Sequence, residues 1–280
     1  MTKRVTVPDI MAAKGVRKLS MLTAYDYPTA LWVDQSGIDM ILVGDSLAMV
    51  VLGQEDTLSV GMAEMIHHTR AVSLAAKRAL VIGDMPFLSY QVSVEQAVLN
   101  AGRFLQEGRA QAVKLEGGKK VAPQVRAIVN AGIPVQGHIG LTPQSSAQLG
   151  GFKVQGKTAE AAKLLIEDGQ ALAEAGCFSI VLEAIPAAIA AQITESVPVP
   201  TIGIGAGPQC DGQVLVIHDV LGLFDRFLPR FVKRYAQLGE TIRQALNSYR
   251  EEVENGTFPG PEHIFSIGTE ELDKLKKDQK

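Results

Sequence analysis

The chain has little cysteine: Cys177 and Cys210 are the two among 280 residues, and neither belongs to a CxxC or Cys/His zinc spacing. A disulfide scaffold and a zinc ribbon are excluded, and both thiols are expected to be small buried residues. It also lacks an excess of either charge: 27 Lys+Arg against 30 Asp+Glu give a net charge of -3 and a pI near 6.0. That balance offers no electrostatic case for nucleic acid or an anionic membrane, so a small metabolite is the expected partner. No apolar run reaches transmembrane length, and residues 1–8 hold no long apolar core of the signal-peptide kind, which places the chain in the cytoplasm. No low-complexity linker divides it. Finally, no GxGxxG turn follows the first apolar run, which leads into Thr23-Ala24-Tyr25-Asp26. The dense glycine cluster Gly203-Ile204-Gly205-Ala206-Gly207 comes only after the seventh, which counts against an open doubly wound dinucleotide-binding sheet.

What is present is an apolar content of 46%, enough for a sizeable core, and a repeated pattern. Short runs rich in β-branched residues end in an ionisable side chain: Ile41-Leu42-Val43-Gly44 in Asp45, Leu80-Val81-Ile82-Gly83 in Asp84, and Val113-Lys114-Leu115 in Glu116. The run from Ile133 ends in His138, and Ile180-Val181-Leu182 ends in Glu183. Buried parallel strands look like such runs, and α/β barrels keep their chemistry at the C-terminal ends of the strands.

Strands are expected over 19–23, 40–44, 79–84, 112–116, 133–138, 179–183, 200–205 and 214–218. Helices are expected over 27–36, 61–78, 94–107, 119–131, 158–175 and 186–195, the second with a stripe of Met62, Met65, Ile66, Thr69, Val72 and Leu74. Eight alternating βα units predict one (β/α)8 TIM barrel over residues 1–280. Residues 8–15 are expected to form a short helix over the barrel's bottom and 229–255 a long amphipathic helix. A charged tail follows from about 257.

Asp45, Asp84 and Glu116 on adjacent strands would converge, and three close anions call for a shared proton or a bound cation. Oxygen-only ligands favour a hard ion, Mg²⁺ above all. Lys114 shares its strand face with Glu116 and is a candidate for holding a substrate carboxylate or oxyanion. Around His138, Gly137 and Gly140 would let a ligand approach the backbone. Glu183, across the barrel mouth from Asp45, is the candidate general base. The glycine cluster at 203–207 reads equally as a phosphate cradle or as a tight turn beside the substrate.

The blocks Met21–Asp26, Val43-Gly44-Asp45-Ser46-Leu47, Gly83-Asp84-Met85-Pro86-Phe87, Val113–Gly118, Gly137–Gln144, Gly151–Gly156, Leu182-Glu183 and Gly203–Gly207 stand in the order found in ketopantoate hydroxymethyltransferases. The chain resembles that family from about residue 3 to about 260. The resemblance implies a barrel of the phosphoenolpyruvate/pyruvate type, Mg²⁺, 5,10-methylenetetrahydrofolate as one-carbon donor, 3-methyl-2-oxobutanoate as acceptor, and a homo-oligomer, often a decamer. It implies Asp45, Asp84 and Glu116 as metal-site carboxylates, Asp45, Ser46, Asp84 and Lys114 as oxoacid contacts, and Glu183 as proton acceptor. His138 is the further candidate for a hydrogen bond to substrate or product. Chemistry and resemblance agree, because Mg²⁺ on a 2-oxo acid stabilises the enolate left when the C3 proton is removed. A lyase or aldolase acting on an oxoacid could use the same site without folate.

Overall fold

A computed structural model describes residues 3–151, 153–224 and 228–277. Phe152 of the 151–156 motif and the tail residues 278–280 lie outside them. Eight parallel strands close on themselves in chain order: β1 (Leu19–Thr23), β2 (Met40–Val43), β3 (Leu80–Asp84), β4 (Ala112–Glu116), β5 (Val135–Gly140), β6 (Ser179–Glu183), β7 (Thr201–Ile204) and β8 (Gly212–Leu215). The barrel is the (β/α)8 fold the alternating runs imply.

Strand alternation sorts these residues into two packed layers. Met21, Met40, Leu42, Leu80, Ile82, Ala112, Val181, Ile202 and Val214 turn inward and fill the lumen. Their neighbours Ile41, Val43, Val81, Val113, Leu115, Val135, Ile180 and Leu182 turn outward onto the helices. The first helix, α1 (Val7–Ala12), is fixed by a capping box between Thr6 and Asp9 and sets Ile10 into the inward cluster at the strands' N-terminal ends. It closes the bottom.

The outer ring includes α2 (Tyr27–Gln35), then, beyond the one-turn α3 (Leu47–Val50), α4 (Met62–Ala75) and α5 (Val94–Gln106). Then come α6 (Ala122–Asn130), the short α7 (Ser146–Leu149), α8 (Ala159–Ala175) and α9 (Ala187–Ser196). Helix α4 buries Met65, Ile66, Thr69, Val72 and Ala75, whereas Leu74, assigned to that stripe on sequence, is 42% exposed. Ala75 holds the inward position because the helix face rotates by 3.6 residues per turn. The helix stops at Ala76, short of the expected 78, because the Asp34 carboxylate captures the amides of Lys77, Arg78 and Ala79. Gly83 has no side chain because the Phe104 ring of α5 lies where a Cβ would stand, 2.3 Å away.

Two expectations in the last third are corrected. Strand β8 occupies 212–215, two residues before the expected start, and α10 (Ile217–Leu221) takes over the rest of that apolar run. Ile217 donates its amide to Thr23 Oγ1 instead of to a neighbouring strand and buries its side chain as part of the helix. The expected helix from 229 begins only at Leu238, as α11 (Leu238–Glu254). The preceding residues fold back on the barrel: Phe231 packs on Gly205, and the Tyr235 amide donates to Val220 O. Helix α11 and the final α12 (Thr269–Lys277) bury none of their residues. Both cysteines are buried and free, and among the described residues no helix is long and apolar enough to cross a membrane.

Candidate active site

Register brings the ionisable residues together at the C-terminal end of the barrel. Asp84 is level with Lys114 across β3 and β4, Glu116 with His138 across β4 and β5, and Gly140 with Glu183 across β5 and β6. The inward parity of Lys114 carries Glu116, two residues later, to the same face. Asp45 and Ser46 follow the end of β2, where the Asp45 amide donates to Asp84 Oδ2 at 3.1 Å and the Ser46 hydroxyl shares a 2.8 Å hydrogen bond with Tyr25.

Lys114 lies among these acids. Its Nζ is 2.9 Å from Asp84 Oδ1, 3.6 Å from Glu116 Oε1 and 3.1 Å from His138 Nδ1, so its partner is chiefly Asp84. His138 joins two carboxylates, with Nδ1 3.4 Å from Glu116 Oε1 and Nε2 3.2 Å from Glu183 Oε2. Its one hydrogen bond is between Nδ1 and Lys114; toward the two acids it has close charge contacts without hydrogen-bond geometry.

Asp45, Asp84 and Glu116 are buried with one lysine and one imidazole for company, and their proton affinities diverge accordingly. Burial, reinforced by Asp84 and Glu116, pushes Asp45 well above the usual carboxylate range. Burial also raises Asp84, with Lys114 offsetting part of the effect. Glu116 goes the other way, because Lys114, His138 and the Gln144 amide outweigh its burial. Burial and Lys114 oppose a charge on His138, but the neighbouring Glu116 and Glu183 carboxylates lift its pKa to about 9.

Three residues without a role in the sequence reading complete the framework. The Gln144 side-chain amide donates to Asp45 Oδ2 and to Met85 O, at 3.0 and 2.9 Å, while its backbone amide donates to Glu116 Oε2 at 3.0 Å. Tyr90 donates its hydroxyl proton to Gln144 Oε1 at 2.8 Å and accepts from the Glu116 amide at 3.2 Å. Tyr25 holds Ser46, as above. The only cue in the sequence is that Gln144 and Tyr25 stand within motif blocks; the fold reveals their partners.

The glycines beside His138 accommodate the chain itself. A Cβ on Gly137 would strike Leu172, and one on Gly140, where φ is +95°, would lie 2.2 Å from Glu183 O. Gly140 thereby lets β6 approach and brings Glu183 beside His138. In the glycine cluster, Gly205 (φ +65°) accommodates the Phe231 ring and Gly207 accommodates Ala187, which favours the tight turn over the phosphate cradle.

Among the described residues no ready-made cage of three His, Cys, Asp or Glu side chains exists, since the Lys114 ammonium lies among the acids. Asp84 Oδ1 and Glu116 Oε1 are nevertheless buried without a hydrogen bond, and the donor set is all oxygen, which suits a hard divalent cation. Asp45, Ser46, Asp84, Lys114, Glu116, His138 and Glu183 line one cavity of about 680 Å³, with the first five on one side and Glu183 on a facing strand.

The sequence model described as ketopantoate hydroxymethyltransferase matches residues 4–261. The chain belongs to the ketopantoate hydroxymethyltransferase family. The 3-methyl-2-oxobutanoate hydroxymethyltransferase of Syntrophobacter fumaroxidans (strain DSM 10017 / MPOB) is 78% identical over 275 residues, 98% of each chain. The enzyme of the same name from Oleidesulfovibrio alaskensis is 62% identical, over 96% of this chain and 93% of its own. Among solved structures, 2,3-dimethylmalate lyase, a PEP mutase/isocitrate lyase superfamily member, matches with a TM-score of 0.58 at 17% identity and 98% coverage of both chains. Phosphonopyruvate hydrolase with oxalate and Mg²⁺ matches with a TM-score of 0.58 at 16% identity, over 100% of this chain and 96% of its own. These two show the fold that this ketopantoate hydroxymethyltransferase family member shares.

Proposed function

We propose that the chain transfers a hydroxymethyl group from 5,10-methylenetetrahydrofolate to 3-methyl-2-oxobutanoate, giving 2-dehydropantoate on the route to pantothenate and coenzyme A. The observation that carries this reading is one cavity that sets an oxygen-rich cluster, charge-balanced in part by Lys114, opposite a carboxylate beside a buried imidazole. Such a site holds an acidic small molecule and takes a proton from it.

Lys114 and the Ser46 hydroxyl bind the carboxylate and keto oxygens of the oxoacid, and Tyr25 fixes the Ser46 rotamer. Glu183 removes the C3 proton, with His138 as a positioning residue whose Nε2 lies 3.2 Å from one carboxylate oxygen. General-base help of this kind is worth about 10²–10⁴ in rate. Asp45, Asp84 and Glu116 would hold Mg²⁺, directly or through water, and the bound ion supplies the Lewis acidity that makes the C3 hydrogen acidic. Lys114 stabilises the developing negative charge on the keto oxygen. Water adds to the one-carbon unit of the folate, opened to its iminium, and the C–N bond breaks to release tetrahydrofolate. The C3 carbanion attacks the formaldehyde carbon set free, whose oxygen takes up a proton to become the new hydroxymethyl group.

We place the enzyme in the cytoplasm and read it as a homo-oligomer, a decamer by family resemblance. The exposed stripe of Ile242, Leu246, Tyr249 and Val253 on α11 supports assembly, and sedimentation velocity measures its size. The function is tested by product analysis with Mg²⁺ and 3-methyl-2-oxobutanoate, with and without methylenetetrahydrofolate. Folate-dependent 2-dehydropantoate is the expected product. Cleavage of an oxoacid with no hydroxymethylation under either condition would establish the lyase reading instead.

A further inference from the structure

A cavity of about 680 Å³ is within the range that encloses a drug-sized ligand, about 300–1,000 Å³, and exceeds the need of a five-carbon oxoacid. Away from the acid cluster its wall continues over Gly205, Val216, Asp219, Phe224, Arg230 and Phe231. In that stretch Asp219 is the one carboxylate among the described residues, and it is buried, with 7% of its surface exposed. We propose that Asp219 binds the pterin ring of the folate substrate, its two carboxylate oxygens accepting the ring N3–H and the 2-amino group. This rests on the folate-dependent reading above.

Among the described residues the ordinary partners of such an aspartate are absent. It stands in the first turn of α10, yet its side chain caps no amide among the described residues: the Ile217 amide goes to Thr23 Oγ1, and Asp219 bonds only through its backbone, its amide to Val216 O and its carbonyl from the Gly222 amide. No lysine, arginine or histidine among the described residues lies within ion-pairing distance. Arg234 acts on it from farther off, and its Nη2 is committed to Phe224 O. With no charged partner among the described residues, an anion so withdrawn from bulk water is costly, and here it lines a cavity.

A ligand that resolves that cost must bring two neighbouring N–H donors on a flat, largely apolar body. The edge of a 2-amino-4-oxopteridine is such a group and matches a carboxylate as a guanidinium does. Phe224 and Phe231 supply apolar wall for the ring, while Arg230 and Lys153 lie in the same lining and complement the anionic glutamyl end. His218, next to Asp219 in α10, sets its ring 5.4 Å from that of Tyr25, whose hydroxyl holds Ser46, so the pterin end is near the oxoacid end. The reacting carbons are thereby brought into one chamber.

The test is calorimetric titration of tetrahydrofolate, and of its analogue with methyl in place of the 2-amino group, into the intact protein loaded with Mg²⁺ and 3-methyl-2-oxobutanoate. Asp219→Asn is expected to weaken tetrahydrofolate binding about 10- to 100-fold. The 2-methyl analogue is expected to bind the unaltered protein weakly by a similar factor, and to lose little more in the variant. Full tetrahydrofolate affinity in Asp219→Asn, equal binding of both ligands by the unaltered protein, or equal losses for both ligands in the variant would each overturn the assignment. Unaltered protein that binds no tetrahydrofolate at all would instead overturn the folate-dependent reading beneath it.

Discussion

The two ends of the barrel both bury carboxylates, and they treat them in opposite ways. At the bottom, where acids precede strands, the buried carboxylates Asp34, Asp39 and Asp211 have matched partners. Asp39, just before β2, takes both Arg17 guanidinium nitrogens at 3.0 and 2.9 Å and the Ser20 amide at 3.0 Å. Asp211, just before β8, takes Lys14 at 3.0 Å and the Thr201 amide at 2.9 Å. Asp34 takes three consecutive amides. At the top, where acids follow strands, Glu116 Oε1 lacks a hydrogen bond, Asp84 Oδ1 has the shared Lys114 ammonium alone, and Asp45 is pushed toward its protonated form. Bottom acids stabilise the fold, whereas the top holds charge in reserve for a ligand.

The largest effect expected from breaking this contrast is at Glu183. Glu183→Gln should lower the rate of hydroxymethyl transfer about 10²–10⁴-fold, measured as product formed per minute, with little change in urea stability. Next is the bottom. Asp34→Ala leaves three amides unpaired and should cost about 3 kcal/mol in urea unfolding, while turnover per folded molecule stays the same.

Asp39 tests the same end through pH. Burial opposes its ionisation, but Arg17 and Ser20 win and lower its pKa below the usual 3.8, so the folded protein holds the anion more firmly than the unfolded chain. Its contribution is complete above that unfolded value and fades as pH falls through the lower folded one. Stability curves of the unaltered protein and Asp39→Asn should therefore separate near neutrality and converge in acid. Smaller and opposite in sign is Asp45→Asn: with EDTA present, removing one of three crowded charges should raise stability by about 1 kcal/mol while abolishing most activity. Lys3→Ala, which removes an exposed bridge to Asp9, should change almost nothing in either assay.

The contrast also explains what the sequence made legible. Runs such as Ile41–Val43 are apolar throughout because a barrel strand is covered on both faces, so the acid or imidazole after each run identified the strand end and the chemistry at once. Asp34, Asp39 and Asp211 gave no such cue: each resembles a surface acid until the fold supplies its partners from another βα unit. Gln144 and Tyr90 escaped for the same reason, since what they bond to lies on other strands. The errors in the last third came from reading hydrophobicity alone. Val214–Ile217 is a single apolar run shared by a strand and a helix, and Phe231 and Tyr235 are committed to the barrel rather than to the helix that follows.

Central to this account is proton removal from an oxoacid at the unsatisfied end of the barrel by Glu183. Proton NMR of 3-methyl-2-oxobutanoate in D₂O with Mg²⁺ and the intact protein, without folate, isolates that step. The account predicts steady loss of the C3–H signal with the unaltered protein and an exchange rate at least about 100-fold lower with Glu183→Gln. Equal exchange rates for the two proteins would contradict it.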